Sequence, residues 1–357
     1  MTPVLPGPVL ADPAPTDLDR VLSPEWLSRA LSTPEEPFEA GEVQVVETLK
    51  TMATKVRIAV EPASSADEVR TLCIKGFFGQ PILHELASRA TQAEANFYRQ
   101  IAPGTRVAVP KAVYSAIDPA SGHGLVIMED VITQGGRFLT ALEPYSVDQA
   151  ASSLRQLARL HAESWGGAAA AGHRWLRNRL ADIADTPIVP LDELQKLVEG
   201  ERADGLPGEL RDAEYLQDSI RVDALDPWTQ PRSLLHRDAP GGNIFELGGM
   251  TALIDWQLLQ LSSWALDIAY HIGAVLSIEQ RRRNEADLLR TYREELTSLG
   301  VSAPAWDDMW LAYRKHMIYG YYLWAVTRFV APPIIVEFSQ RLGTAVTDLE
   351  SLRLLGV

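Results

Sequence analysis

The sequence predicts an α+β fold in two parts, a small antiparallel sheet lobe followed by a larger, mainly helical lobe. Three observations predict it. β-branched and apolar runs recur from Val43 to about Val131, with one helical stretch among them. Past Gly135-Gly136 the apolar spacing changes to that of helices and keeps it almost to the C-terminus. A short β-like island, Leu234 to Trp256, lies between two helical blocks.

Residues 1–22 read as a loose, Pro-rich arm containing Pro3, Pro6, Pro8, Pro13 and Pro15. Ser23-Pro24-Glu25 has the order of an N-cap, first helical position and acidic first turn. Residues 23–131 form the sheet lobe. Its strands are expected at Val43–Thr48, Lys55–Val60 and Val69–Phe78, then at Val107–Ile117 and Leu125–Met128. A helix from Ile82 to Ile101 separates the two groups. Residues 132–357 form the helical lobe. A helix over Ser146–Trp165 places Leu154, Leu157, Ala158 and His161 on one face, and helices follow at about 172–184, 190–200, 208–222, 277–299, 304–331 and 334–354.

Composition narrows the function. The 357 residues carry 33 Lys and Arg against 47 Asp and Glu, a formal net charge of −14. Nucleic acid and anionic lipid both call for clustered cations, so neither is an expected partner. The balance of 46% hydrophobic and 22% charged residues is that of a globular chain. Cys73 is the single cysteine, so no internal disulfide forms, and its apolar neighbours suit a buried hydrophobe better than a nucleophile. No Lys or Arg precedes Arg20, and the most apolar stretch, Leu258–Leu276, carries Gln260 and Asp267. A signal peptide and a membrane span are therefore not expected, and the expected location is cytoplasmic.

The island carries the chemistry. It reads Leu-Leu-His-Arg-Asp-Ala-Pro-Gly-Gly-Asn-Ile-Phe from Leu234, then Thr-Ala-Leu-Ile-Asp-Trp-Gln from Thr251. His236, Asp238, Asn243 and Asp255 make a compact polar set between apolar strands. Phosphoryl transfer needs such a set: Asp238 to orient or deprotonate an attacking hydroxyl, and the Asn243 amide oxygen and Asp255 carboxylate to hold Mg²⁺. Gly241 and Gly242 let the chain turn tightly between them. A different chemistry also fits part of the pattern, because His236-x-Asp238 with His271 downstream matches a facial triad for non-haem iron.

His-x-Asp-x-x-x-x-Asn followed by a strand ending in Asp resembles the catalytic loop and metal-binding Asp of the aminoglycoside phosphotransferase superfamily. That superfamily includes choline-kinase-like and ecdysteroid-kinase-like enzymes and shares the protein-kinase architecture. Leu-Asp-Ile-Ala-Tyr at 266–270 resembles the helix that comes after the metal Asp, and the likeness in texture spans about residues 40–350. The resemblance implies a two-lobe kinase-like fold and an ATP- and Mg²⁺-dependent transfer to a hydroxyl of a small molecule. It implies that Lys75, on the third strand, clamps the phosphates and that Glu94, in Glu-Ala-Asn-Phe-Tyr-Arg, positions it, with Glu85 the competing partner. It places adenine against the backbone C=O of Glu129 and N–H of Val131, in Leu-Val-Ile-Met-Glu-Asp-Val. It makes His236 and Asp267 supports of the catalytic loop, with His161 nearby in the core. A catalytically silent nucleotide-binding protein is the other reading in the same family.

Two departures stand out. The loop 49–54 has no Gly, so Lys50, Thr51 and Thr54 are the polar residues there for phosphate, or they are solvated turn residues. Arg237 has no assigned role. The helix 304–331 is dense in aromatics, with Trp306, Trp310, Tyr313, Tyr319, Tyr321, Tyr322 and Trp324 either lining an acceptor pocket or packing the core. These aromatics and Ile-Asp-Trp-Gln tilt the expectation toward the ecdysteroid-kinase-like branch and a less polar acceptor. Asp307 and Asp308 either attract a cationic acceptor or cap the helix.

Overall fold

Apolar period decides which segments become strands and which become helices. The computed structural model describes residues 10–50, 53–64, 68–78, 85–143, 145–167, 172–176, 179–225 and 231–357. In order, the elements are α1 (Leu18–Val21), α2 (Pro24–Leu31), β1 (Ala40–Lys50), β2 (Thr54–Pro62), β3 (Arg70–Gly76), α3 (Glu85–Asn96), β4 (Ala112–Ile117), β5 (Gly124–Glu129) and β6 (Arg137–Phe138). Next come α4 (Val147–Glu163), α5 (Arg179–Asp185), α6 (Leu191–Val198), α7 (Ala213–Leu225), β7 (Arg232–Leu235), β8 (Ile244–Leu247), β9 (Met250–Leu253) and β10 (Gln260–Ser263). The last are α8 (Trp264–Val275), α9 (Ile278–Ser298), α10 (Trp306–Lys315), α11 (Met317–Val326), α12 (Pro332–Asp348) and α13 (Ser351–Leu355).

The chain divides into two units. The first comprises residues 1–105, 109–137 and 254–258, and the second residues 106–108, 138–253 and 259–357. Chain order alone assigned the whole island to the helical lobe. Its last residues, Ile254–Leu258, instead belong to the sheet unit, and the division after β5 falls at Arg137, not Val131.

In the first unit, β1 to β5 form an antiparallel sheet in the order β1-β2-β3-β5-β4. Side chains alternate between faces. Val56, Ile58 and Val60 of β2 and Leu72 and Ile74 of β3 are buried in one core with Trp26, Leu27 and Leu31 of α2. The intervening positions Lys55, Cys73 and Lys75 share the opposite face, with Lys55 directly across from Lys75. Ser23 caps α2 by accepting from the Trp26 N–H, with Pro24 in the first turn. The arm is not loose from Leu10 onward. The Asp12 carbonyl accepts from Trp26 Nε1, the Pro13 carbonyl from the Tyr114 hydroxyl, and Ala14 is buried. Its prolines leave carbonyls free of regular structure, and the sheet unit supplies the donors. Residues 1–9 lie outside the described residues, as do Thr51 and the expected start of the helix at Ile82.

In the second unit, α8 is buried along its whole length, and it is apolar all round except for Asp267 and His271. β7 pairs with β10 and β8 with β9, both antiparallel. The predicted helix 304–331 is two helices. α10 ends and α11 begins at His316, whose Nδ1 lies 2.6 Å from Asp223 Oδ1 of α7. Apolar residues continue on both sides, so periodicity could not show the break. The predicted 334–354 helix likewise divides into α12 and α13, because Glu350 adopts a left-handed conformation.

Candidate active site

In the first unit, Lys75 Nζ lies 2.7 Å from Glu94 Oε2 and 2.8 Å from Asp255 Oδ1, with only 4% of its side chain exposed. Burial alone would pull the ammonium down. The Asp255 and Glu94 carboxylates outweigh it and hold Lys75 above its ordinary value, so it stays charged. Glu94 is therefore its partner on α3. The side chain of Glu85 lies outside the described residues. Lys55 Nζ is 3.7 Å from the other Asp255 oxygen.

The neighbouring Trp256 anchors Asp255. The ring of Trp256 stacks on Phe97 at 3.7 Å between centroids, and the Trp256 backbone N–H donates to Glu94 Oε1 at 3.4 Å. Phe97 begins a π-helical turn, Phe97–Ile101, that ends the α3 helix. Asp255 itself has φ +68, a left-handed conformation rare outside glycine. Glu129 closes β5, and its carboxylate pairs with Lys111. Val131 is buried in the turn after β5, where its carbonyl accepts from the Gly136 N–H at 2.7 Å.

In the second unit, the loop from His236 to Asn243 is fixed by donors and acceptors from several elements. Asp267 of α8 accepts from the backbone N–H groups of His236 and Arg237, each at 2.7 Å. Burial would raise its carboxyl. The hydrogen bonds from His161, 3.2 Å away, and from the Arg237 N–H hold it below the ordinary range. His271 Nδ1 donates to the Ala239 carbonyl at 2.8 Å, and Tyr145 Oη donates to the Gly241 carbonyl at 2.9 Å. His236 Nδ1 accepts from the Asp238 N–H at 3.2 Å. His236, Asp267 and His161 thus brace the loop.

Asn243 Nδ2 donates both to the Asp238 carbonyl, at 2.8 Å, and to Asp238 Oδ2, at 3.0 Å. The Asn243 amide nitrogen is turned to Asp238, which leaves its oxygen outside that contact; an amide oxygen is a hard donor that could hold a cation such as Mg²⁺. The iron reading fits poorly. His271 Nε2 lies 2.8 Å from Ser153 Oγ, so both ring nitrogens are engaged, and burial pushes its pKa down to about 4. Arg237 has φ +66 and is fully buried. Its guanidinium lies 3.6 Å from the centre of the Tyr319 ring and has no hydrogen-bond partner among the described residues. It therefore stacks on an aromatic face instead of pairing with an acid.

Most of the aromatic residues of α10 and α11 belong to the core. Tyr313 donates to Glu285, Tyr319 to the Arg237 carbonyl, Tyr321 to the Leu210 carbonyl and Tyr322 to Gln217, and all four are buried. Their hydroxyls are committed to partners within the fold, as core packing expects. Trp306 and Trp310, both half-buried, stack on each other. Two site residues were not visible in the sequence. Lys55 comes beside Asp255 only through sheet register, and Tyr270 reaches Asp238 only through the packing of α8.

This chain belongs to the phosphotransferase enzyme family, whose profile matches residues 82–306. Solved structures are similar at low identity. A Ralstonia eutropha JMP134 protein provisionally named an aminoglycoside phosphotransferase is 16% identical, with 92% of this chain and 96% of that chain covered and a TM-score of 0.54. The choline kinase LicA from Streptococcus pneumoniae is 14% identical over 87% of this chain and 94% of that one, with a TM-score of 0.49. A choline/ethanolamine kinase family protein from Mesorhizobium loti is 15% identical over 93% and 97%, with a TM-score of 0.44. At these identities the first likeness concerns the fold alone, and the other two carry no further weight. No curated protein matches the sequence.

Proposed function

We propose that the protein is an ATP- and Mg²⁺-dependent kinase that phosphorylates a hydroxyl group of a small molecule. The observation that carries this reading is the buried Lys75 bridging Glu94 and Asp255. Phosphoryl transfer by a kinase needs a strand Lys held by a Glu of the following helix and close to a metal-binding Asp, which is the relation in which Lys75, Glu94 and Asp255 stand. When bound, Mg²⁺ neutralises charge that develops on the transferred phosphoryl group. In this reading Asn243 and Asp255 each give it one oxygen. Lys75 binds the α- and β-phosphates, Glu94 positions Lys75, and Lys55 adds a second cation where a Gly-rich loop is lacking. Adenine is received by the backbone C=O of Glu129 and N–H of Val131.

Asp238 accepts a hydrogen bond from the acceptor hydroxyl and takes its proton as the new O–P bond forms and the bond to the ADP oxygen breaks. General-base positioning is worth roughly 10²- to 10⁴-fold in rate. Asp238→Ala is therefore expected to lose that factor in turnover against a panel of small alcohols, while Mg-ATP still raises the melting temperature as in the wild type. A thermal shift without turnover in the wild type would identify a catalytically silent nucleotide binder instead.

A further inference from the structure

We infer that Tyr270, itself oriented by Trp324, is a positioning residue that sets the direction of the Asp238 carboxylate; this rests on the proposed role of Asp238 in phosphoryl transfer. Tyr270 Oη donates to Asp238 Oδ1 at 3.3 Å, while Asn243 Nδ2 donates to Oδ2 at 3.0 Å. The two carboxylate oxygens are thus held from two different elements, α8 and the turn before β8. A carboxylate held at both oxygens keeps its plane, and a reacting hydroxyl meets it in one orientation.

The polarity of the Tyr270 bond is fixed by its other neighbour. Trp324 Nε1 lies 2.8 Å from Tyr270 Oη. An indole nitrogen can only donate, so Tyr270 Oη accepts there and its own hydrogen is left for Asp238. Tyr270 is 2% exposed. Burial, and then the charge of Asp238, holds the phenol well above its ordinary value, so it keeps that hydrogen.

The ring has little freedom to leave. The edge of Tyr319 meets it at 5.9 Å between centroids and 83° between planes. Gly320 lies so close that an added Cβ would stand 2.7 Å from Tyr270 Cδ2. Tyr319, Gly320 and Trp324 all lie on α11. One helix therefore supplies the edge contact, the space and the donor that place the Tyr270 hydroxyl.

The test measures hydrolysis of Mg-ATP by water and transfer to an alcohol panel, with thermal unfolding alongside. Tyr270→Phe keeps the ring and removes the hydroxyl. It is expected to lower kcat by roughly 10- to 100-fold, with KM for Mg-ATP within about twofold of the wild type. Trp324→Phe is expected to lower kcat less in the native background and not at all in the Tyr270→Phe background, because it acts through the missing hydroxyl. Unchanged kcat in Tyr270→Phe, or the same loss from Trp324→Phe in both backgrounds, would overturn the inference and leave packing as the role. Should Tyr270→Phe fail to fold, Trp324→Phe decides alone: a fall in kcat at constant KM with thermal unfolding as in the wild type is in favour, and unchanged kcat, or a fall that comes with lost stability, is against. Asp238→Ala separates the two levels. If it abolishes turnover while Tyr270→Phe leaves kcat unchanged, the role of Asp238 stands and that of Tyr270 falls. If the wild type shows neither activity, or Asp238→Ala retains it, the kinase reading falls and this inference with it.

Discussion

Asp267 and Asp238 are both carboxylates in the second unit, yet their surroundings give them different work. Asp267 is spent on two backbone N–H groups and His161, which leaves it little to offer a substrate. Asp267→Ala strands two buried donors, each worth about 1–3 kcal/mol. A loss of several kcal/mol in urea unfolding is expected, and stability within about 0.5 kcal/mol of the wild type would contradict that role. His271 gives a pH signature. Its pKa is about 4 in the folded chain against about 6.5 unfolded, so below pH 6.5 the unfolded chain binds a proton that the folded chain refuses. Its contribution is complete above that pH and is lost as pH falls toward 4. Urea melts at pH 7 and pH 5 should show this loss in the wild type and less of it in His271→Asn. The contacts of Asp238 with Asn243 were legible because their spacing is local. Those of Lys55 and Tyr270 were not. One depends on which strand lies across from β3, the other on which helix packs beside α8.

Among elements, β3 in the first unit and the α8–α11 pair in the second carry candidate residues. Cys73 and Lys75 share one face of β3, and burial pushes the Cys73 thiol up to about 11. Because the thiolate is the reactive form, alkylation of Cys73 should rise about tenfold per pH unit from pH 7 to 10. A plateau near pH 9 would show an ordinary exposed thiol. Across α8 and α11, Gly320 permits close approach to Tyr270 and to Leu342 of α12, where an added Cβ would stand at 2.7 and 2.9 Å. Helix propensity alone favours Gly320→Ala by about 1 kcal/mol, and overpacking opposes it by roughly 1–3 kcal/mol. A net loss of stability is expected in urea unfolding, since a fixed ring cannot yield as a flexible side chain can; a gain would show that the space is slack. Resemblance at 266–270, not period, located α8, which is apolar almost all round; the sequence period located β1, β2, β3 and β5, because each has one consistent pattern. It missed the break at His316, since the partner that holds it, Asp223, is remote in sequence and apolar residues continue on both sides.

For the whole molecule, the net charge of −14 and an anionic nucleotide make opposite demands. In the proposed kinase reading, Lys75, buried with its charge kept, and Lys55 on the adjacent strand are the local cations for the phosphates. No helix among the described residues is long and apolar enough to cross a membrane. The two-part plan was legible because the dominant period changes past Gly135-Gly136. That Ile254–Leu258 returns to the sheet unit was not, because it depends on Trp256 stacking against Phe97 and on Asp255 meeting Lys75. The most direct test of the kinase assignment traces the γ-phosphoryl group of ATP into a panel of small alcohols, for wild type and Asp238→Ala, with and without Mg²⁺, while nucleotide binding is read by thermal shift. Mg²⁺-dependent transfer by the wild type is expected, with a loss of about 10² or more in Asp238→Ala and nucleotide binding intact. Equal transfer by the two proteins, or nucleotide binding by the wild type with no transfer to any alcohol, would contradict the assignment.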